Sequence, residues 1–82
     1  MPAHVPEGDI RQLWKENTDR SWSGLLKVVE SHRNKTGGIE NTVVEMLIPV
    51  CRQLEHSGTP YPNTEQEFAK VLNGAMAKKF AA

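Results

Sequence analysis

The chain has 82 residues, with ten lysines and arginines against ten aspartates and glutamates, so its formal charge is zero with histidine neutral. That length allows one domain and excludes a two-domain enzyme, since autonomous domains run from about 50 to 250 residues. Zero net charge excludes a global electrostatic pull on nucleic acid or anionic lipid, while 38% apolar and 24% charged residues keep the chain out of the disordered class.

Residues 1–8 carry no periodicity and are expected to be a flexible lead-in to a single helical domain over 9–80, with 81–82 as a tail. Asp9 precedes Ile10, Leu13 and Trp14, an i, i+3, i+4 set behind an N-cap candidate, which predicts a short helix from Asp9 to about Asn17. Asn17, Thr18 and Asp19 read as a turn, because their short polar side chains compete for backbone hydrogen bonds. Ser21 then caps a second helix with the stripe Trp22, Leu25, Leu26 and Val29, running to Asn34 before Lys35-Thr36-Gly37-Gly38 ends it.

The third segment, Ile39 to Ser57, carries two adjacent stripes. Ile39, Val43, Met46 or Leu47, Val50 and Leu54 form one, and Val44, Ile48 and Cys51 the other, so this helix is expected to pack on both sides and to form the centre of the fold. Pro49 lies inside it and predicts a kink, at a cost of about 3 kcal/mol. The rival is a strand over Thr42 to Val50, rich in β-branched residues, but it lacks a partner.

Gly58-Thr59-Pro60-Tyr61-Pro62-Asn63 reads as a stiff loop. Thr64 with Glu67 three residues on fits a capping box ahead of Phe68, Val71, Leu72, Ala75 or Met76, and Phe80, which places a fourth helix from Thr64 to about Lys79. The fold class is therefore all-α: a small four-helix domain with a central Pro-kinked third helix.

A single cysteine, Cys51, forms no internal disulfide, and the N-terminus lacks a basic region followed by an apolar run. Both point to a reducing, cytoplasmic setting. The longest apolar stretch, Met46 to Cys51, is far short of the roughly 20 residues that span a bilayer. Cys51 with His56 or His32 is a weak nucleophile and base pair, because His56 is rotated away from it along the helix. His4, His32 and His56 share no helical face, so no metal site and no cofactor are expected.

Charge is segregated along the chain. Arg11, Lys15, Arg20, Lys27, Arg33 and Lys35 against Glu16, Asp19 and Glu30 give residues 11–35 a net +3; Arg52 against Glu40, Glu45, Glu55, Glu65 and Glu67 gives residues 36–69 a net −4. Two function classes follow. The first is a non-enzymatic binding module, a regulator, adaptor or inhibitor, that meets a protein partner or a second copy of itself through Trp14, Trp22, Tyr61 and Phe80, with Tyr61 between prolines as the exposed anchor. The alternative is a DNA-binding helix-turn-helix over 11–35, using Arg20, Lys27, Arg33 and Lys35, with His32 also turned to the groove. Against it, Trp22 and Ser23 occupy the helix end that should meet base edges.

Overall fold

A computed structural model describes residues 4–80, all of whose regular structure is helical. Helix α1 (Glu7–Glu16) starts two residues before its expected cap. Asp9 is not the N-cap: Pro6 holds that position without a side-chain bond, and Asp9 joins Glu7 in the first turn. The helix reaches back because Val5 is fully buried and its amide donates to Asn73 Oδ1 at 2.7 Å. Part of the stretch 1–8 expected to be flexible is thus tied to the last helix. Residues 1–3 and the expected tail 81–82 lie outside the described residues.

Helix α2 (Trp22–Ser31) is capped as expected, with Ser21 Oγ accepting the Gly24 amide at 3.0 Å. It stops short of Asn34, which adopts a left-handed conformation (φ 60°). Asn34 and Asn41 lock this turn reciprocally: the Asn34 amide donates to Asn41 Oδ1, and Asn41 Nδ2 donates to Asn34 Oδ1, both at 2.8 Å. Helix α3 (Asn41–His56) runs through Pro49 without a break, and the strand reading of 42–50 is excluded. Helix α4 (Glu65–Phe80) has its expected cap, Thr64 Oγ1 accepting the Glu67 amide at 3.1 Å.

The four helices close a ring in which α2 lies chiefly on α3, α3 and α1 each lie on α4, and α1 meets α2. The core is drawn from all four: Leu13 of α1, Leu25 and Val29 of α2, Val44, Leu47 and Cys51 of α3, and Phe68 and Leu72 of α4 are fully buried. Each large aliphatic or aromatic side chain so buried contributes about 1.5–3 kcal/mol. The Cα radius of gyration, 11.5 Å, is that of a closed single domain of this length. An unfinished core is therefore no argument for self-association.

His32 is buried, not turned to a groove. Its Nδ1 accepts the Ile39 amide at 3.3 Å, so Nε2 carries the hydrogen and donates to Glu16 Oε1 at 2.7 Å. One imidazole thereby joins the end of α1, the end of α2 and the entry to α3. Desolvation raises the Glu16 carboxyl, but the hydrogen bonds from His32 and Gln12 and the charge of Lys35 hold the group below its ordinary value of 4.5. A depressed folded value means that Glu16 stabilises the fold above the unfolded value and loses that contribution as pH falls through the folded one. Chemical denaturation between pH 7 and pH 3 should therefore show a smaller loss of stability in Glu16→Gln than in the parent chain.

Gly24 sits where α2 crosses the 17–19 turn, and a Cβ there would lie 2.7 Å from both Asn17 Oδ1 and Asp19 Cβ. A Cβ on Gly74, exposed on α4, would meet nothing within 4 Å. Gly24→Ala is expected to lose about 1–3 kcal/mol by overpacking and Gly74→Ala to gain about 1 kcal/mol of helix propensity, both read from urea unfolding midpoints.

Candidate functional site

Trp14 of α1, Trp22 of α2, Phe68 of α4 and Tyr61 of the proline loop form one cluster. Tyr61 lies parallel to Trp14, with centroids 6.0 Å apart and planes 3° apart, and meets Trp22 edge-on at 4.8 Å. Phe68 closes the cluster from below, 5.4 Å from Trp14 and 5.7 Å from Tyr61. Such pairs add about 0.5–1.5 kcal/mol each beyond the area they bury.

Polar bonds fix the loop that carries Tyr61. Trp22 Nε1 donates to the Thr59 carbonyl at 2.7 Å, and Asn17 Nδ2 donates to Tyr61 Oη and to the Ser21 carbonyl, each at 3.0 Å. Pro60 and Pro62 preset their own φ angles on either side of Tyr61. Burial pushes the Tyr61 phenol above its ordinary value, while the Asn17 bond and the charge of Arg20 oppose that shift. The phenol is neutral at physiological pH and presents a hydroxyl, not a charge.

Arg20 completes the face. It stands at φ 53°, a left-handed conformation unusual for a residue with a long side chain, and its guanidinium lies 4.0 Å above the Trp14 ring. The ion pairs among the described residues involve other cations, so the donor edge of Arg20 has no carboxylate partner. Trp14, Arg20, Tyr61, Pro62 and Asn63 line a hollow of about 250 Å³. A larger hollow of about 410 Å³ lies between the start of α1 and α4, lined in part by His4, Val5, Arg11 and Asn73.

The residues singled out from the sequence divide. Trp14 and Tyr61 share the face, both half-buried, so Tyr61 is a stacked member of a cluster and not a freestanding anchor. Trp22 is 4% exposed and supports the face from inside. Phe80 is half-buried against the core at the far end of α4, in no aromatic pair with the cluster. Of the basic set, Arg20 lies on Trp14, and Arg33 forks onto Glu45 at 2.7 and 3.2 Å, which raises its pKa through that bond and charge. Lys27 and Lys35 are exposed. Asn17, Pro62 and Asn63 were not singled out; Pro62 and Asn63 flank Tyr61 in sequence, whereas the role of Asn17 depends on a contact 44 residues away.

Cys51 is fully buried, and desolvation, with a smaller contribution from Glu30, pushes its thiol up to about 12. It is protonated at neutral pH and shielded from substrates. Among the described residues, no group of three or more histidine, cysteine, aspartate or glutamate side chains is placed to hold a metal ion, and no helix is long and apolar enough to cross a membrane. The chain matches no protein-family model, no curated protein and no solved structure.

Arg20→Gly should change the unfolding free energy by no more than about 1 kcal/mol, because the loss of an exposed cation–π contact of about 0.5–1 kcal/mol is offset by relief of the left-handed backbone. Thermal unfolding of the variant checks this, and a retained melting transition makes it a clean surface probe.

Proposed function

We propose that this chain is a non-enzymatic binding module that docks a protein partner on the face formed by Trp14, Arg20, Tyr61, Pro62 and Asn63. The observation that carries the reading is the convergence of one tryptophan, one tyrosine and one arginine around a single hollow. Those three residue types dominate interface hot spots. The hollow, at about 250 Å³, is below the roughly 300–1,000 Å³ of small-molecule sites and suits a side chain or two of a partner. The loop is already held by Trp22 and Asn17, so little ordering entropy opposes docking. The buried, protonated Cys51 supports a non-catalytic role in a reducing, cytoplasmic setting.

The DNA-binding alternative has weaker support. Arg33 is already engaged by Glu45, His32 is buried, and the start of α2 turns Trp22 into the core. Arg20, Lys27 and Lys35 of the basic set are left to meet phosphate, too few for the steep salt dependence of duplex binding. A second copy of the chain remains within the protein-binding reading as one kind of partner.

A photo-crosslinking amino acid placed at the exposed Asn63, compared with one at the exposed Gln53 on α3, tests the reading in the cells that make the protein. A discrete protein adduct is expected at position 63, absent at 53 and lost when Arg20→Gly is added. An adduct of twice the chain mass identifies a second copy. Equal labelling at both positions, or micromolar binding of a fluorescent DNA duplex that weakens linearly in log salt, would overturn it.

A further inference from the structure

We propose that His32 is a protonation-controlled latch on the connection between α2 and α3: the neutral imidazole pins the Ile39 amide, and the imidazolium keeps Glu16 and lets residues 35–40 open. The latch sits at the end of α2, whereas Trp22 and the docking face lie at its start, and it stands independently of the docking function.

The imidazole is enclosed, and both of its nitrogens are used. His32 is 1% exposed, with Nδ1 accepting the Ile39 amide at 3.3 Å and Nε2 meeting Glu16 Oε1 at 2.7 Å. Gly38 packs against the same edge of the ring: a Cβ there would stand 2.7 Å from Nδ1. Both nitrogens of a charged imidazole carry hydrogen. Protonation therefore turns Nδ1 from an acceptor into a donor facing another donor, the Ile39 N–H, across a buried contact. That bond is lost, and a buried amide is left without its acceptor.

The other bond responds in the opposite sense. Nε2–H donates to Glu16 in either state, and a positive ring strengthens that bond by adding charge to it. The charged groups around the ring divide by element. On α1, Glu16 accepts from the ring, and the Asp9 carboxyl, raised by burial and by Glu40, is lowered by a charged His32, so both favour the cation. On the connection, Glu40 adds a negative charge beside Asp9, while Lys35, whose charge reaches Glu16, opposes the cation. The gain thus falls on the α1–α2 corner and the loss on the connection. The connection is also the part that can move. Its backbone bonds, Lys35 to His32 and Gly38 to Lys35, are short-range turns, and residues 33–37 are exposed. The Asn34–Asn41 clasp, made of amides that do not titrate, closes its base and confines the opening to residues 35–40, with Ile39, 3% exposed, as the core side chain set free.

The test is an NMR titration of the uniformly ¹⁵N-labelled chain between about pH 8 and about pH 5, the range in which histidine ordinarily changes charge. The His32 ring nitrogens report charge and tautomer, and hydrogen exchange, corrected for its intrinsic pH dependence, reports the protection of the Ile39 amide. The Nε2–H tautomer is expected at the upper end. As Nδ1 takes up its proton, Ile39 protection should fall about tenfold, as expected for loss of a buried amide's acceptor, while the Leu25 and Leu72 amides and the Trp22 indole keep theirs. His32→Gln, which retains His4 and His56, should abolish the pH dependence at Ile39. Gly38→Ala approaches the same state without touching the ring: its methyl group displaces Nδ1, so Ile39 should be as weakly protected at the upper end as in the parent chain after protonation. Glu16→Gln should move the change to lower pH, because an anion that favours the imidazolium is gone. An Ile39 amide whose protection ignores the His32 titration, an Nδ1–H tautomer at the upper end, or an imidazole that stays neutral until all amides exchange together overturns the latch.

Discussion

The structure depends on one constraint, that α3 is apolar on two adjacent faces and must be covered on both. Val44, Leu47 and Cys51, with Ile48, Val50 and Leu54, are buried along its length. Covering them takes α2 on one flank and α4 on the other, and α1 then closes the ring between those two. The same constraint explains how Pro49 is tolerated. A proline in a helix interior costs about 3 kcal/mol, but Leu47, Ile48, Val50 and Cys51 immediately around it are all buried, each worth about as much as half or more of that cost. The carbonyl deprived of its partner belongs to Glu45, an exposed residue on the side of the helix open to solvent. A strand over the same residues would bury one face only and leave a row of backbone groups unpaired.

A chain this short has little core to spare, and its connections are fixed by specific polar bonds. At one end of the ring, His32 joins Glu16 to the Ile39 amide, Asn34 and Asn41 clasp each other, and Arg33 forks onto Glu45. At the other end, Trp22 and Asn17 hold the proline loop. Gly24 belongs to the second set, because only a residue without a side chain lets α2 approach Asn17 and Asp19 closely enough for Asn17 to reach both Ser21 and Tyr61. The rigidity of the candidate docking face thus originates in a helix-packing detail beneath it.

The helices were legible in the sequence because apolar spacing is a local signal, and so were the caps at Ser21 and Thr64, whose hydroxyls bond amides three residues away. The start of α1 was not, because it is set by Val5 bonding to Asn73, 68 residues distant. His32 was misread for a related reason: a polar residue on a helix end looks solvent-facing until the partners that satisfy it, Glu16 and Ile39, are brought in by the tertiary fold. In the candidate site, Trp14, Trp22 and Tyr61 were legible as large aromatics, but not their division of labour. Trp22 follows its own stripe into the core, whereas Trp14 is left half-covered. The stacking of Arg20 on Trp14 depends on the left-handed turn at Arg20 itself, which no spacing pattern encodes.

That turn is the most informative departure from local rules in the molecule. Glycine or asparagine adopts a left-handed conformation at lower cost, and the two glycines with positive φ, Gly37 and Gly58, show the usual solution in the same chain. With arginine at position 20, backbone strain of about 1–2 kcal/mol is set against an exposed cation–π contact of about 0.5–1 kcal/mol. The balance gives the isolated chain no net stability. What the arrangement does provide is a guanidinium seated 4.0 Å from the Trp14 ring centroid, on the hollow it shares with Tyr61 and Pro62. A side chain held in this way has less freedom to lose on docking, so the strained turn at Arg20 fits the proposed docking function better than it fits a role in the stability of the fold.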